Sequence, residues 1–295
     1  MVPVFLLVTI IIFFIIRAIP GDPAKELGGE WATGEDIERI RKGLGLDKPQ
    51  VVQYFMFVGK LFQGDLGESL FARRPVADLI LYRLPNTLLL AIVSVFLATM
   101  IGLVMGIVSA VKQYSILDYV STVFVLFGMS VPVFWLGLML MIVFSLYLRW
   151  FPSIGSGSWR HLVLPVVSLT THIMARVARM TRSSMLEVTH QDYIRTARAK
   201  GLTARVVILR HALKNALIPV VTVTGIQLAA LFGGVVFVEK VFAWPGIGKL
   251  LVDSILQRDY PVVQGVILFI SISFLVINLM VDISYAYLDP RIRYS

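Results

Sequence analysis

The side chains that most often carry out chemistry are few and scattered in this sequence. Its histidines are His161, His172, His190 and His211, and their spacing gathers no set of metal ligands. His172 follows Thr170 and Thr171 inside an apolar run, where an ionisable group is either functional or a neutral imidazole bonded to a neighbouring helix. Glu239 and Asp282 sit near the ends of such runs and read as interfacial anchors rather than proton carriers. Gly246-Ile247-Gly248-Lys249-Leu250 has the outline of a phosphate-binding loop. Ala243 stands where its first glycine is needed and Leu250 where its Ser/Thr is needed, so ATP binding is not expected there. Trp244-Pro245-Gly246 reads instead as a rigid turn, and with Glu239 it is a candidate outer gate or contact for an external protein. No cysteine is present, which excludes disulfides and thiolate metal sites. No catalytic constellation emerges.

The stretch with the most pattern is basic. Residues 189–219 read THQDYIRTARAKGLTARVVILRHALKNALIP, which predicts two short helices meeting at Gly201. Thr189 and Asp192 have capping-box spacing, while Tyr193, Ile194 and Ala197 share one face. Thr203 can cap the second helix, on which Val206, Leu209 and Leu213 line one face and Arg205, Arg210 and Lys214 stay wet. A solvated loop of the positive-inside kind explains the charge but not two apolar faces flanking a glycine. Such an elbow, held away from lipid, wants a protein groove.

What positions these residues is a membrane. The chain has 295 residues, 57% hydrophobic and 15% charged, and a mean hydropathy of +0.82. That is too apolar for a soluble domain, and its long uncharged runs predict helices rather than barrel strands, hence an all-α polytopic fold. Spans are predicted near residues 1–19, 84–111, 119–148, 161–182, 215–238 and 260–285, six in all. The first is read as a retained anchor, since Arg17-Ala18-Ile19-Pro20 lacks a small-residue cleavage pattern. Arg176, Arg179 and Arg182 follow the short apolar run 161–175 on one arc and can snorkel toward the interface.

Residues 176–214 carry nine basic and two acidic side chains, against nine and ten in residues 20–83. The loop at 183–214 is therefore predicted to be cytoplasmic, with both termini, and 20–83 extracytoplasmic. Two short helices are expected in the outer segment, at 34–44 and 49–62, and Pro85-Asn86-Thr87 is a helix-start signal for the second span. Ser130, Pro132, Phe134 and Trp135 interrupt the third span, where a proline kink can open a pathway; Ser130, Pro132, Trp135 and His172 are the pathway candidates. Gly102 and Gly106 form a small-xxx-small pair suited to close helix contact, with a partner subunit as one option. A membrane-anchored nucleic-acid binder would need aromatic platforms among the basic residues, and Tyr193 is alone there. A secondary transporter or channel would need an ion site inside the spans, for which His172 is the one clear candidate.

Tyr193-Ile194-Arg195-Thr196-Ala197-Arg198-Ala199-Lys200-Gly201 resembles the EAA loop of binding-protein-dependent ABC importer permeases in its peptide-family form. Ile19-Pro20-Gly21-Asp22-Pro23, Leu44-Gly45-Leu46-Asp47, Gly64-Asp65-Leu66-Gly67-Ser69 and Arg74-Pro75-Val76 look like the B-type subunits of dipeptide, oligopeptide, glutathione and nickel systems. So do Phe242-Ala243-Trp244-Pro245-Gly246-Ile247-Gly248, Arg258-Asp259-Tyr260-Pro261-Val262 and Asp289-Pro290-Arg291. The resemblance implies a type I importer transmembrane subunit working with a second permease, two ATPase domains that bind ATP and Mg, and an external solute-binding protein. It implies that Tyr193, Arg195, Ala197, Arg198, Lys200, Gly201 and Arg205 dock on an ATPase. Arg195 replaces the loop's acidic lead residue and Lys214 a later proline, which fits the peptide-family variant. The expected cargo is a di- or oligopeptide, with glutathione or a nickel chelate as the alternative.

Overall fold

The computed structural model describes residues 2–18, 22–29, 32–43 and 45–288. The predicted tail at 289–295, residues 19–21 and the Asp282 side chain lie outside that set. Among the described residues the chain is helical, with an isolated antiparallel bridge between Glu68 and Pro75. The helices are α1 (Val2–Ala18), α2 (Pro23–Gly28), α3 (Gly34–Gly43), α4 (Gln50–Phe62), α5 (Val76–Val111), α6 (Ile116–Ser130) and α7 (Val133–Leu140), which continues as a π-helical turn, Met141–Tyr147. They go on through α8 (Trp159–Thr189), α9 (Asp192–Ala199) and α10 (Ala204–Val206), then a second π-helical turn, Val207–Ala212, leading into α11 (Leu213–Val241), α12 (Ile247–Leu256) and α13 (Tyr260–Leu288).

Four helical stretches are long and apolar enough to cross a bilayer: Val76–Val111, Trp159–Thr189, Ala204–Leu231 and Tyr260–Val281. The pair formed by α6 and α7 with its π turn makes a fifth if taken as one span. With α1, whose 17 residues reach about 25 Å, the count is six.

Two predicted spans differ from the observed helices. The third is not one straight helix, because Ile116–Ser130 and Val133–Tyr147 are bent by 104° at Val131 and Pro132. Val131 is extended, as the residue before a proline prefers, and Pro132 then sits at the N-cap of α7. The second span starts at Val76, so Pro85 lies inside α5 and Asn86 and Thr87 cap nothing of their own. They serve another segment instead. The Asn86 amide donates to the Pro245 carbonyl at 3.0 Å, and the Thr87 hydroxyl accepts from the Ile247 N–H at 2.8 Å, closing the start of α12.

The chain divides into two compact units, Met1–Thr87 with Pro245–Leu275 and Leu88–Trp244 with Val276–Ser295. In the first, Phe13 of α1 stacks edge-on to Tyr54 of α4 at 5.3 Å, and Arg17 covers the Phe13 ring while its Nε donates to Gln53 at 3.1 Å. Val76, Ile80, Ile247, Leu250, Val262 and Val266 form its buried cluster. At the start of α3, hydrogen bonds from Thr33 hold the Asp36 carboxyl below the usual carboxylate range.

In the second unit α8 lies at the centre, with Leu164, Leu169, Ile173 and Val177 buried among residues of α5 and α11. The small-xxx-small pair is used here, inside the chain, rather than on a partner. A Cβ on Gly102 would lie 2.9 Å from the Met174 carbonyl, and one on Gly106 would lie 2.5 Å from Thr181 Cβ and 2.7 Å from the Ala178 carbonyl. Backbone stands in the way, so the helices must separate to admit a side chain. Gly106→Leu is expected to destabilise the protein by about 1–3 kcal/mol, read as a lower thermal-unfolding midpoint in detergent. Gly59→Leu, where an added Cβ meets nothing within 4 Å, should leave it nearly unchanged.

Candidate functional site

The elbow is built from α9, the Gly201 turn and the π-helical turn after α10. Gly201 has φ +75°, the left-handed conformation its type predicts, and an added Cβ would meet nothing within 4 Å. Ile194 and Ala197 are buried against Met185, Val207, Ala212 and Ala216, so α9 is clamped between the end of α8 and the start of α11. Tyr193 is not part of that face. It is partly exposed, and its hydroxyl accepts from the Asn215 amide at 2.8 Å, pinning α9 to α11. Arg195, Arg198, Lys200 and Arg205 are exposed around the turn, together with Leu202, Val206 and Leu209.

Three local expectations fail here, the last in part. Thr189 and Asp192 make no capping box: the Thr189 hydroxyl donates back to the Leu186 carbonyl, and α9 begins at Gln191 without a side-chain cap. Thr203 is at the predicted N-cap but its side chain makes no capping bond. Of the predicted inner face Val206, Leu209 and Leu213, Leu213 packs against the buried cluster, and Val207, Ala212 and Ala216 take the places of the other two. The π-helical turn Val207–Ala212 shifts the register, turning Val206 and Leu209 outward. Ala197 accordingly belongs to the support of the elbow, and Gly201 with the basic and apolar side chains beside it to the exposed surface.

Beneath the elbow an ion pair ties α6 to α8. Asp118 accepts from Arg182 at both oxygens, Nε to Oδ1 at 2.9 Å and Nη2 to Oδ2 at 3.0 Å, and also from the Ser109 hydroxyl and the Tyr114 N–H. Its side chain is 5% exposed and that of Arg182 33%. Sixty-four residues separate the partners, so the pairing carried no local signal; Asp118 merely preceded an apolar run. Farther along α8, His172 bonds the Gly128 carbonyl through Nδ1 and Arg176 through Nε2. Of the other pathway candidates, Ser130, Pro132 and Trp135 are exposed at the bend. His161 packs into the capping box that opens α8, and His190 bonds the Leu186 carbonyl.

The predicted outer gate is not a surface. Glu239, Trp244 and Gly246 are buried and Pro245 is half-buried, and the Trp244 N–H donates to the Glu239 carbonyl at 2.8 Å. The Trp244 ring is buried, and Ala243 before it turns the chain at φ +49°. In the first unit, two motifs far apart in sequence meet: the Ser69 hydroxyl donates to Asp259 at 2.5 Å and the Leu70 N–H to its other oxygen at 3.2 Å.

Membrane-crossing helices bundled around α8, with a basic elbow carried on the ends of two of them, define an all-α polytopic permease. Residues 102–294 match the family model described as binding-protein-dependent transport system inner membrane component, and residues 1–91 match that of its N-terminal membrane component. The glutathione transport system permease protein GsiC of Escherichia coli (strain K12) is 45% identical over 295 residues, covering 100% of this chain and 96% of that protein. GsiC of Pectobacterium atrosepticum (strain SCRI 1043) matches at the same identity and coverage. Among solved structures, the MetNI methionine ABC transporter in an inward-facing conformation aligns at TM-score 0.62 and 23% identity, covering 72% of this chain and 96% of that one. An amino acid ABC transporter aligns at TM-score 0.58 and 13% identity over 72% of this chain and 94% of its own. The chain belongs to the binding-protein-dependent transport system inner membrane component family: it is a multi-pass inner-membrane permease subunit of an ABC importer with the type I transmembrane fold.

Asp118→Asn leaves Arg182 without its counter-charge and is expected to cost about 2–3 kcal/mol, below the range for a fully buried pair because Arg182 is partly wet. Thermal unfolding of the purified chain checks this. Adding Arg182→Gln should cost little more than the single change, since both remove one interaction.

Proposed function

We propose that this subunit forms half of a translocation pathway for small peptides, with glutathione the leading cargo and other di- or oligopeptides next. The names of its full-length relatives support that cargo class. A second, homologous permease completes the pathway, an external solute-binding protein delivers the cargo, and two cytoplasmic ATPase domains bind ATP and Mg and supply the energy. The basic residues of 176–214 orient the elbow and both termini toward the cytoplasm. Nickel chelates remain a less supported alternative cargo.

The observation that carries the reading is the elbow itself: an exposed apolar and cationic tip at Gly201, rigidly mounted through Ile194, Ala197 and Tyr193 on α8 and α11. A lever of this build passes motion between a soluble partner at its tip and the spans at its base. Arg195, Arg198, Lys200 and Arg205 meet the ATPase surface, and Gly201 lets the chain turn sharply enough to fit its groove.

Gly201→Val forces a β-branched residue to positive φ, a local strain of about 1–2 kcal/mol or more that distorts the tip without touching the core. In proteoliposomes holding this chain, the companion permease, the ATPases and the binding protein, it should lower ATP-dependent glutathione uptake by about tenfold or more while the complex still assembles. Uptake by this chain alone, without ATP or partners, would overturn the importer reading in favour of an autonomous transporter.

A further inference from the structure

Arg176, Arg179 and Arg182 follow one another along α8, yet they have three different surroundings. Arg182 is paired with Asp118 and Arg179 is exposed. Arg176 is half-buried and lies six residues, or about 9 Å, farther into the span than Arg182. Its Nη2 donates to His172 Nε2 at 3.0 Å, and its Nη1 to Gln227 Oε1 on α11 at 3.2 Å. A guanidinium can only donate, so Nε2 of His172 is the bare nitrogen, and the ring proton sits on Nδ1, facing the Gly128 carbonyl at 3.1 Å. Every group that holds Arg176 is therefore neutral.

Three features set this arginine apart from a structural anchor. Among the described residues it makes no ion pair, and its two bonds leave three of the five guanidinium N–H donors unused. Its side chain reaches back to His172, one turn toward the middle of α8, whereas a snorkelling arginine would extend toward the cytoplasmic end where Arg182 and the elbow lie. Finally, a full charge within a span is costly and is retained where it faces an aqueous path or a charged ligand. A planar carboxylate is the group that two parallel guanidinium donors fit best.

We infer that Arg176, its guanidinium held by His172 and Gln227, reads a carboxylate of the cargo as it passes along the translocation path. The inference rests on the importer reading and deepens it: the subunit favours solutes with a free carboxylate over their amides. Gly128 lies two residues before Ser130, the last residue of α6, at the bend into α7, so the same cluster joins the bend, α8 and α11.

The test compares ATP-dependent uptake of a tripeptide acid and its C-terminal amide by the assembled complex, with the binding protein saturating so that delivery does not set the rate. Arg176→Gln should lower uptake of the acid by about tenfold and leave the amide within about twofold, and Arg176→Lys should restore part of the loss. ATP hydrolysis stimulated by loaded binding protein should persist in both variants. Equal loss for acid and amide, or no loss, overturns the carboxylate assignment and leaves the importer reading intact. If the wild type carries neither cargo, the importer reading falls; if it carries the acid alone, uptake does not discriminate. In both cases thermal shift of the solubilised permease pair decides: stabilisation by millimolar acid but not amide, lost in Arg176→Gln, supports the assignment, and its absence overturns it.

Discussion

How closely its neighbours approach α8 governs the whole Leu88–Trp244 unit. Helices in a bilayer gain nothing from hiding apolar surface from one another, because lipid is as apolar as they are; association rests on close packing and a few polar bonds. The sequence places glycines where the approach is closest: Gly102 and Gly106 of α5, and Gly128 of α6 against the Thr171 carbonyl. The polar bonds are few and internal, such as Thr170 to the Ser94 carbonyl at 3.3 Å. With α8 gripped in this way, its end is a fixed mount for the elbow, and its middle is a fixed mount for His172 and Arg176.

Charge is distributed to match. Two acidic groups are consumed by partners gathered around them: Asp118 holds Tyr114, Ser109 and Arg182, and Asp259 holds Ser69 and Leu70. The arginines and lysine at the elbow remain exposed, where a partner surface can meet them. Rigid closure below thus contrasts with exposed charge at the tip, where Arg195 has Asp192 as an ion-pair partner at 3.9 Å.

The spans were legible because lipid imposes length and apolarity on them, and Gly201 was legible because few residues other than glycine accept its backbone conformation. Boundaries marked by polar residues were less reliable. Pro85-Asn86-Thr87 looked like a start, but tertiary partners at Pro245 and Ile247 claimed the polar side chains and α5 ran through the proline. Trp244-Pro245-Gly246 looked like an exposed turn, but burying the large indole won, with the Trp244 amide turned back to the Glu239 carbonyl. The Asp118–Arg182 pair and the Gln227–Arg176 bond join residues 64 and 51 positions apart, which no local pattern encodes.

The π-helical turn Val207–Ala212 makes the phase of the elbow independent of the phase of the span. Each wide turn inserts one residue, and one residue is about 100° of rotation about a helix axis. The tip and α11 therefore follow two separate angular registers joined by a single inserted position. Deleting one residue there would leave both helices intact and every side chain chemically unchanged, yet it would swing Arg205 and Val206 around the axis of α11, away from whatever surface they now address.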